Sequence, residues 1–164
     1  MSAGINPTRI SATAEFDLGA EVNDPRGGSR AGNRIRYVRA DAAIAQYDAC
    51  KMKLTESDAP HAVIPTAATT DFVSGIAEVS VTDQYYFWLT VHGYVPIANV
   101  ADASAQGEVL GASGTAGRLE TPTFTTTAAT LAQLNAGVRA SISGIVAVSD
   151  ASAGNQAAVY IHGS

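Results

Sequence analysis

The sequence predicts an all-β fold: a small barrel or sandwich preceded by an extended N-terminal arm. Two observations carry this. Short segments of alternating apolar and polar residues recur along the 164 residues with turn formers between them, the period-2 signature of half-buried strands. No segment shows strong helical amphipathicity; the best helix candidate, Ala128 to Asn135, is short and follows a Thr run.

Residues 1–33 read as the arm. They are polar and rich in turn signals (Asn6-Pro7, Asn23-Asp24-Pro25, Gly27-Gly28, Gly32-Asn33), with Phe16, Leu18 and Val22 as apolar anchors and a short strand expected near Glu15 to Leu18. Residues 34–164 form the β-domain, which is expected to stay folded without the arm. In Arg34 to Arg39, Ile35 and Tyr37 point inward while Arg34 and Arg36 point outward. Ala49 to Leu54 repeats the idea, with Cys50, Met52 and Leu54 opposite Lys51 and Lys53, and Ile76 to Thr82 sets Ala77, Val79 and Val81 against Glu78, Ser80 and Thr82.

After Asp83 comes an aromatic strand, Gln84 to Gly93, which holds the single Trp and closes a hairpin over 75–93. Tyr85, Phe87, Leu89 and Val91 form its core face. Tyr86, Trp88, Thr90 and His92 form a second face too aromatic for an ordinary wet face, so it is expected to meet another sheet, another subunit or a larger surface. Near the end, Ser143 to Ser149 and Gln156 to His162 flank a tight turn at Gly154-Asn155, a closing hairpin. The stretch Ala40 to Cys50 is echoed by Ala101 to Leu110, which reads as a pair of similar loop-to-strand crossings in one barrel.

Composition narrows the function. Charged residues are 15% of the chain, against about 25% in typical domains, so the surface is suited to packing on protein. A net charge of −5 argues against a nucleic-acid partner. The local basic cluster Arg26, Arg30, Arg34, Arg36 and Arg39 is a solvated edge or a dock for an acidic protein surface. Cys50 is alone, no secretory signal opens the chain, and no run has transmembrane length, so folding in cytoplasm away from membranes is expected.

Chemical motifs are missing. His61, His92 and His162 are far apart in sequence and one Cys makes no thiolate site, so no metal or cofactor is predicted. His92 and His162 each precede a Gly at a strand end, in Val-His-Gly and Ile-His-Gly, as structural histidines do. Gly111 to Gly117 is followed by Arg118-Leu119, not by the Lys-Ser/Thr of a phosphate loop, and reads as a turn. The acidic residues stand mostly at turns, where they cap backbone groups. The sequence makes no case for an enzyme; a hydrolase using His92 or His162 as base would lack a nucleophile.

Several pieces in order resemble the decoration (cement, or head-stabilising) proteins of tailed-bacteriophage capsids. They are Phe16 to Val22, Arg36 to Ala40 running into Ala43 to Ala49, Asp83 to Leu89 with His92-Gly93, and Gly107 to Leu110 followed by Thr115 to Leu119. Tyr47 departs from the pattern, where Gly is expected. The resemblance implies a trimeric virion protein, made in the host cytoplasm, that sits on the outer surface of the head. It would bind between capsomers of the major capsid protein and stabilise the shell. In that setting Tyr86, Trp88, Thr90 and His92 become the candidate subunit interface, and Phe16, Leu18, Arg26, Arg30, Arg34 and Arg36 the candidate capsid-docking set. The competing reading is a carbohydrate-binding β-module that stacks sugars on Tyr85, Tyr86 and Trp88.

Overall fold

The computed structural model describes residues 4–54, 61–123 and 131–162, and the described residues form ten strands and one α-helix. In chain order the strands are β1 (Glu21–Asn23), β2 (Arg34–Ala40), β3 (Ala49–Met52), β4 (Ala62–Pro65), β5 (Gly75–Ile76), β6 (Tyr86–Asn99), β7 (Val109–Ala112), β8 (Leu119–Glu120), β9 (Ile145–Ala147) and β10 (Gln156–Ile161). The helix α1 (Leu131–Ser143) lies between β8 and β9.

The fold is all-β and internally duplicated. Strands β2, β4, β3, β5 and the first half of β6 follow one another in the sheet, and β2 pairs back to β6 to close a five-stranded barrel. The second half of β6 then opens a second set, β6–β10–β9–β7–β8, which closes where Val100 bridges Leu119 in parallel. That bridge repeats the parallel pairing of Ala40 with Val63 in the first barrel. The 14-residue β6 is therefore shared, its Tyr86-to-His92 half in one barrel and its Tyr94-to-Asn99 half in the other.

The crossings carry the repeat. Ile44 bridges Val81, and Ser104 bridges Ala151, each antiparallel. Three residues beyond each bridge residue the backbone turns left-handed: φ is 71° at Tyr47, 67° at Gln84, 89° at Gly107 and 75° at Gly154. Supporting hydrogen bonds repeat too. The Tyr47 N–H donates to the Ala77 carbonyl (2.6 Å) as Gly107 does to Ala147 (2.8 Å). Gln46 N–H donates to Ser80 Oγ at 3.1 Å, and Gln106 N–H to Asp150 Oδ1 at 2.7 Å. The echo read between 40–50 and 101–110 thus belongs to two barrels, not to one, and each barrel adds a second crossing, at 78–85 and 148–155.

Alternation fills both interiors. Val38, Cys50, Val63, Ala77, Phe87 and Leu89 line the first barrel, and Ala98, Leu110, Leu119, Ala147, Ala157 and Val159 take the matching positions in the second. Volume is traded between them: Phe87 faces the place where the second barrel has Ala157, and Leu110 replaces Cys50. Ala49 and Ile76, on the outside of the first barrel, join the second barrel's cluster and weld the two together.

Several expectations need correction. The strand expected near Glu15 to Leu18 lies instead at Glu21–Asn23, paired antiparallel with Arg34, Ile35 and Arg36. Ile76 to Thr82 is a strand only to Ile76; Ala77 and Val81 are buried as read, but on a crossing loop that buries Glu78 as well. The helix is longer than the short candidate and runs to Ser143, because its barrel-facing side is small rather than bulky: Ala140 sits on Gly111, where an added Cβ would come within 2.9 Å of the Ala140 Cβ. Residues 128–130 of that candidate lie outside the described residues.

Candidate interaction surface

Among the described residues no group of three or more His, Cys, Asp or Glu side chains could hold a metal ion. Cys50 is fully buried in the first barrel, and burial pushes its thiol well above the ordinary range. His61 packs on Gly19, where a Cβ would lie 2.2 Å from its Nε2. His92 and His162 occupy equivalent strand ends of the two barrels. His92 Nδ1 donates to the His162 carbonyl at 2.7 Å, and the Tyr160 ring contacts both imidazoles, at 5.9 and 5.0 Å between centroids. Carboxylates cap turns: Asp48 accepts from Ala45 N–H (2.9 Å), Glu108 from Ala105 N–H (2.9 Å), and Asp71 from Ala67 and Ala68. Burial raises the Asp48 carboxyl despite its bond from Asn99.

The core face of the aromatic strand is as read: Phe87, Leu89 and Val91 are buried in the first barrel, with Tyr85 packed beside them. The second face is placed differently. Trp88 is 3% exposed and Thr90 1% exposed within the single chain. Phe16 reaches Trp88 and Tyr37 with centroids 5.2 Å from each, Tyr37 stacks on Tyr86 at 6.0 Å, and Leu18, Ala20 and Val22 complete the cluster. Backbone bonds hold the arm there, Ser11 with Tyr86 and Gly19 and Ala20 with Tyr37. The candidate subunit face is therefore covered by the chain's own arm. Tyr86 and His92 keep partial exposure. Trp88 cannot serve an interface, or a sugar platform with Tyr85 and Tyr86, without displacing Phe16. The arm accordingly contributes Phe16, Leu18, Ala20 and Val22 to a core cluster with the β-domain.

The candidate capsid-docking set is likewise engaged within the chain. Phe16 and Leu18 are the lid just described. Arg26 bonds Asp24 (2.9 Å from Nε) and Glu78 (2.9 Å from Nη2), Arg30 pairs with Glu78, and Arg34 and Arg36 both reach Glu21. Thr90 donates to Glu78 at 2.7 Å, so Glu78, read from sequence as an outward strand residue, is the buried anchor of the arm. Burial alone would raise its carboxyl; hydrogen bonds from Arg26, Thr90 and Arg30 hold it below the ordinary value of 4.5. Asp24 is lowered in the same way, burial opposing and Arg26 prevailing. Arg39 leans toward Asp41 at 3.5 Å.

What is left exposed lies elsewhere. Across the outside of the second barrel Val109, Val146, Tyr160 and Tyr94 stand in register on four adjacent strands, with Val109 39% and Tyr160 36% exposed. At the matching positions of the first barrel, Ala49 and Ile76 are buried in the second barrel's cluster and Thr90 donates to Glu78, whereas this row keeps partial exposure. A groove of about 540 Å³ lies over β3 and β4, and α1 exposes Leu131, Leu134 and Val138. The sequence signal for the helix stripe was present, as 3–4 spacing within 131–138. The row across the second barrel was not legible without the strand register.

No protein-family model and no curated protein sequence matches the chain. Among solved structures, the fold resembles the head fiber gp8.5 N base of bacteriophage phi29, with a TM-score of 0.52 at 15% identity, over 77% of this chain and 92% of that one. The likeness is one of fold.

Proposed function

We propose that this protein is a non-enzymatic structural component of a tailed-phage head, carried on the outer surface of the capsid. It binds there as a homotrimer between capsomers of the major capsid protein and reinforces the shell. The observation that carries this reading is the fold likeness, which extends over nearly the whole of a head fiber base. The ordered pieces from Phe16 to Leu119 that resemble capsid decoration proteins support it independently of the fold.

With Phe16, Leu18 and the arginines engaged within the chain, shell contact falls to the second barrel's outer row, Val109, Val146, Tyr160 and Tyr94. These side chains form a flat, weakly charged patch. Repetition of such a patch in an oligomer gives avidity that one copy lacks. The test is cosedimentation of the purified chain with phage shells, beside its mass in solution. Binding at a fixed number of copies per capsomer supports the reading; a chain that leaves shells bare overturns it.

A further inference from the structure

We propose that helix α1 of one copy docks into the groove over β3 and β4 of the next copy, a head-to-tail contact between two different surfaces. The inference rests on the oligomeric part of the preceding reading and is independent of shell binding.

The duplication identifies the receptor. On the outside of the first barrel Lys51 pairs across strands with Ile64; at the matching place on the second barrel Gly111 pairs with Glu120. Over the second of these surfaces lies a helix, α1, packed along β7 with Ala140 on Gly111. Over the first lies the groove of about 540 Å³, lined by Met52, Leu54, Ile64 and Phe72, with Leu54 89% and Phe72 46% exposed. The connection that supplies the helix in the second barrel, residues 121–144, is a short loop, 66–74, in the first. Among the described residues one barrel thus brings its own helix to this surface and the other does not.

The helix carries a second face to match. Leu131, Leu134 and Val138 are 74%, 48% and 57% exposed and follow i, i+3, i+7 along one line. At 100° per residue Ala140 stands roughly 180° from Leu131, so the exposed stripe points directly away from the helix's own barrel. A helix apolar on opposite sides is one buried on both. Charge does not oppose the fit, because the groove's lysines are already paired, Lys51 with Asp71 at 2.8 Å and Lys53 with Asp41. Donor and receptor are different patches of the same chain, so the contact propagates until a rotation closes it, which makes a ring such as a trimer.

The test uses full-length chains and light scattering after size exclusion. Ile64→Glu is tolerated by the fold because the matching residue of the second barrel is Glu120, and Leu134→Glu alters an exposed position. Each variant alone is expected to run at single-chain mass. An equimolar mixture of the two is expected to give a heterodimer and no larger ring, since one chain keeps an intact helix and the other an intact groove. Should the Ile64→Glu chain stay oligomeric while Leu134→Glu does not, helices pair with helices and the proposal is overturned. A wild-type chain of single-chain mass, or a mixture that stays monomeric, overturns it too. A chain bearing both Ile64→Cys and Leu134→Cys reports without loss of side-chain size: oxidation is expected to give intermolecular cross-links, Cys50 being buried, and their absence counts against the contact.

Discussion

The Asn33 side chain clasps the backbone of Tyr94 like a one-residue strand: its Nδ2 donates to the Tyr94 carbonyl at 2.7 Å and its Oδ1 accepts from the Tyr94 N–H at 2.8 Å. The clasp sits where β6 leaves one barrel and enters the other. It is possible because Gly93 precedes Tyr94, at φ 102° and with no side chain; a Cβ there would lie 2.0 Å from Asn33 Oδ1. Asn33 itself is 1% exposed, so both groups it satisfies on Tyr94 are shielded from water.

Gly93→Ala is therefore expected to destabilise on two counts, a left-handed backbone and a steric clash, by about 3 kcal/mol in total. Asn33→Ala leaves two shielded backbone groups without partners and should cost about 2 kcal/mol. Urea unfolding midpoints measure both. Near-wild-type stability of Gly93→Ala would mean that the barrels do not join in this geometry.

Trp88→Ala is expected to lower stability by about 3–5 kcal/mol, the cost of emptying a large buried aromatic site. Removing residues 1–23 should expose Tyr37 and Trp88 together, shifting tryptophan emission to the red and lowering the melting temperature before any change in assembly. An unchanged emission spectrum would show that the arm does not lie on Trp88.

The repeated crossings can be tested at matching positions. Gly107→Ala meets no neighbour within 4 Å, so its cost is backbone strain alone, about 1 kcal/mol. Gln84→Gly, at the left-handed position of the first barrel's second crossing, where the second barrel has Gly154, should stabilise by up to about 1 kcal/mol or be neutral. Thermal melts of the pair decide whether the four turns share one conformation.

Acid should release the arm. Glu78 and Asp24 are held below their ordinary values of 4.5 and 3.8, so each adds stability that is full above those values and is lost as pH falls through the lower folded-state value. Glu78→Gln removes its share and leaves Arg30 without its carboxylate partner while Arg26 keeps Asp24, so it should cost about 3 kcal/mol at neutral pH. Between about pH 5 and pH 2 the variant should lose less further stability than the wild type. Melting temperatures across that range check the slope.

Much of this fold was legible in the chain and some was not, for physical reasons. Period-2 alternation gave the faces of Phe87, Leu89 and Val91 correctly because a barrel interior enforces it. The same alternation misled at Ile76 to Thr82, where a crossing loop buries Ile76, Ala77 and Glu78 in succession. The crossing at 78–85 went unread because Gln84 adopts the left-handed turn without a glycine to mark it, and the crossing at 148–155 was read only as a hairpin turn at Gly154. The second aromatic face was rightly judged to need covering, but its cover lay within the chain: Phe16 is distant in sequence, and Glu78 finds Arg26 across a 52-residue separation. A helix whose barrel side is Ala and Gly shows little amphipathicity until its partner, Gly111, is known.

The reading of the protein as a phage-head component is tested most directly by cosedimentation with purified phage shells, for the wild type and for Tyr160→Ala with Val109→Glu. The account predicts saturable binding by the wild type and binding weakened by roughly tenfold or more in the double variant, with its solution mass unchanged. A wild-type chain left wholly in the supernatant would contradict it.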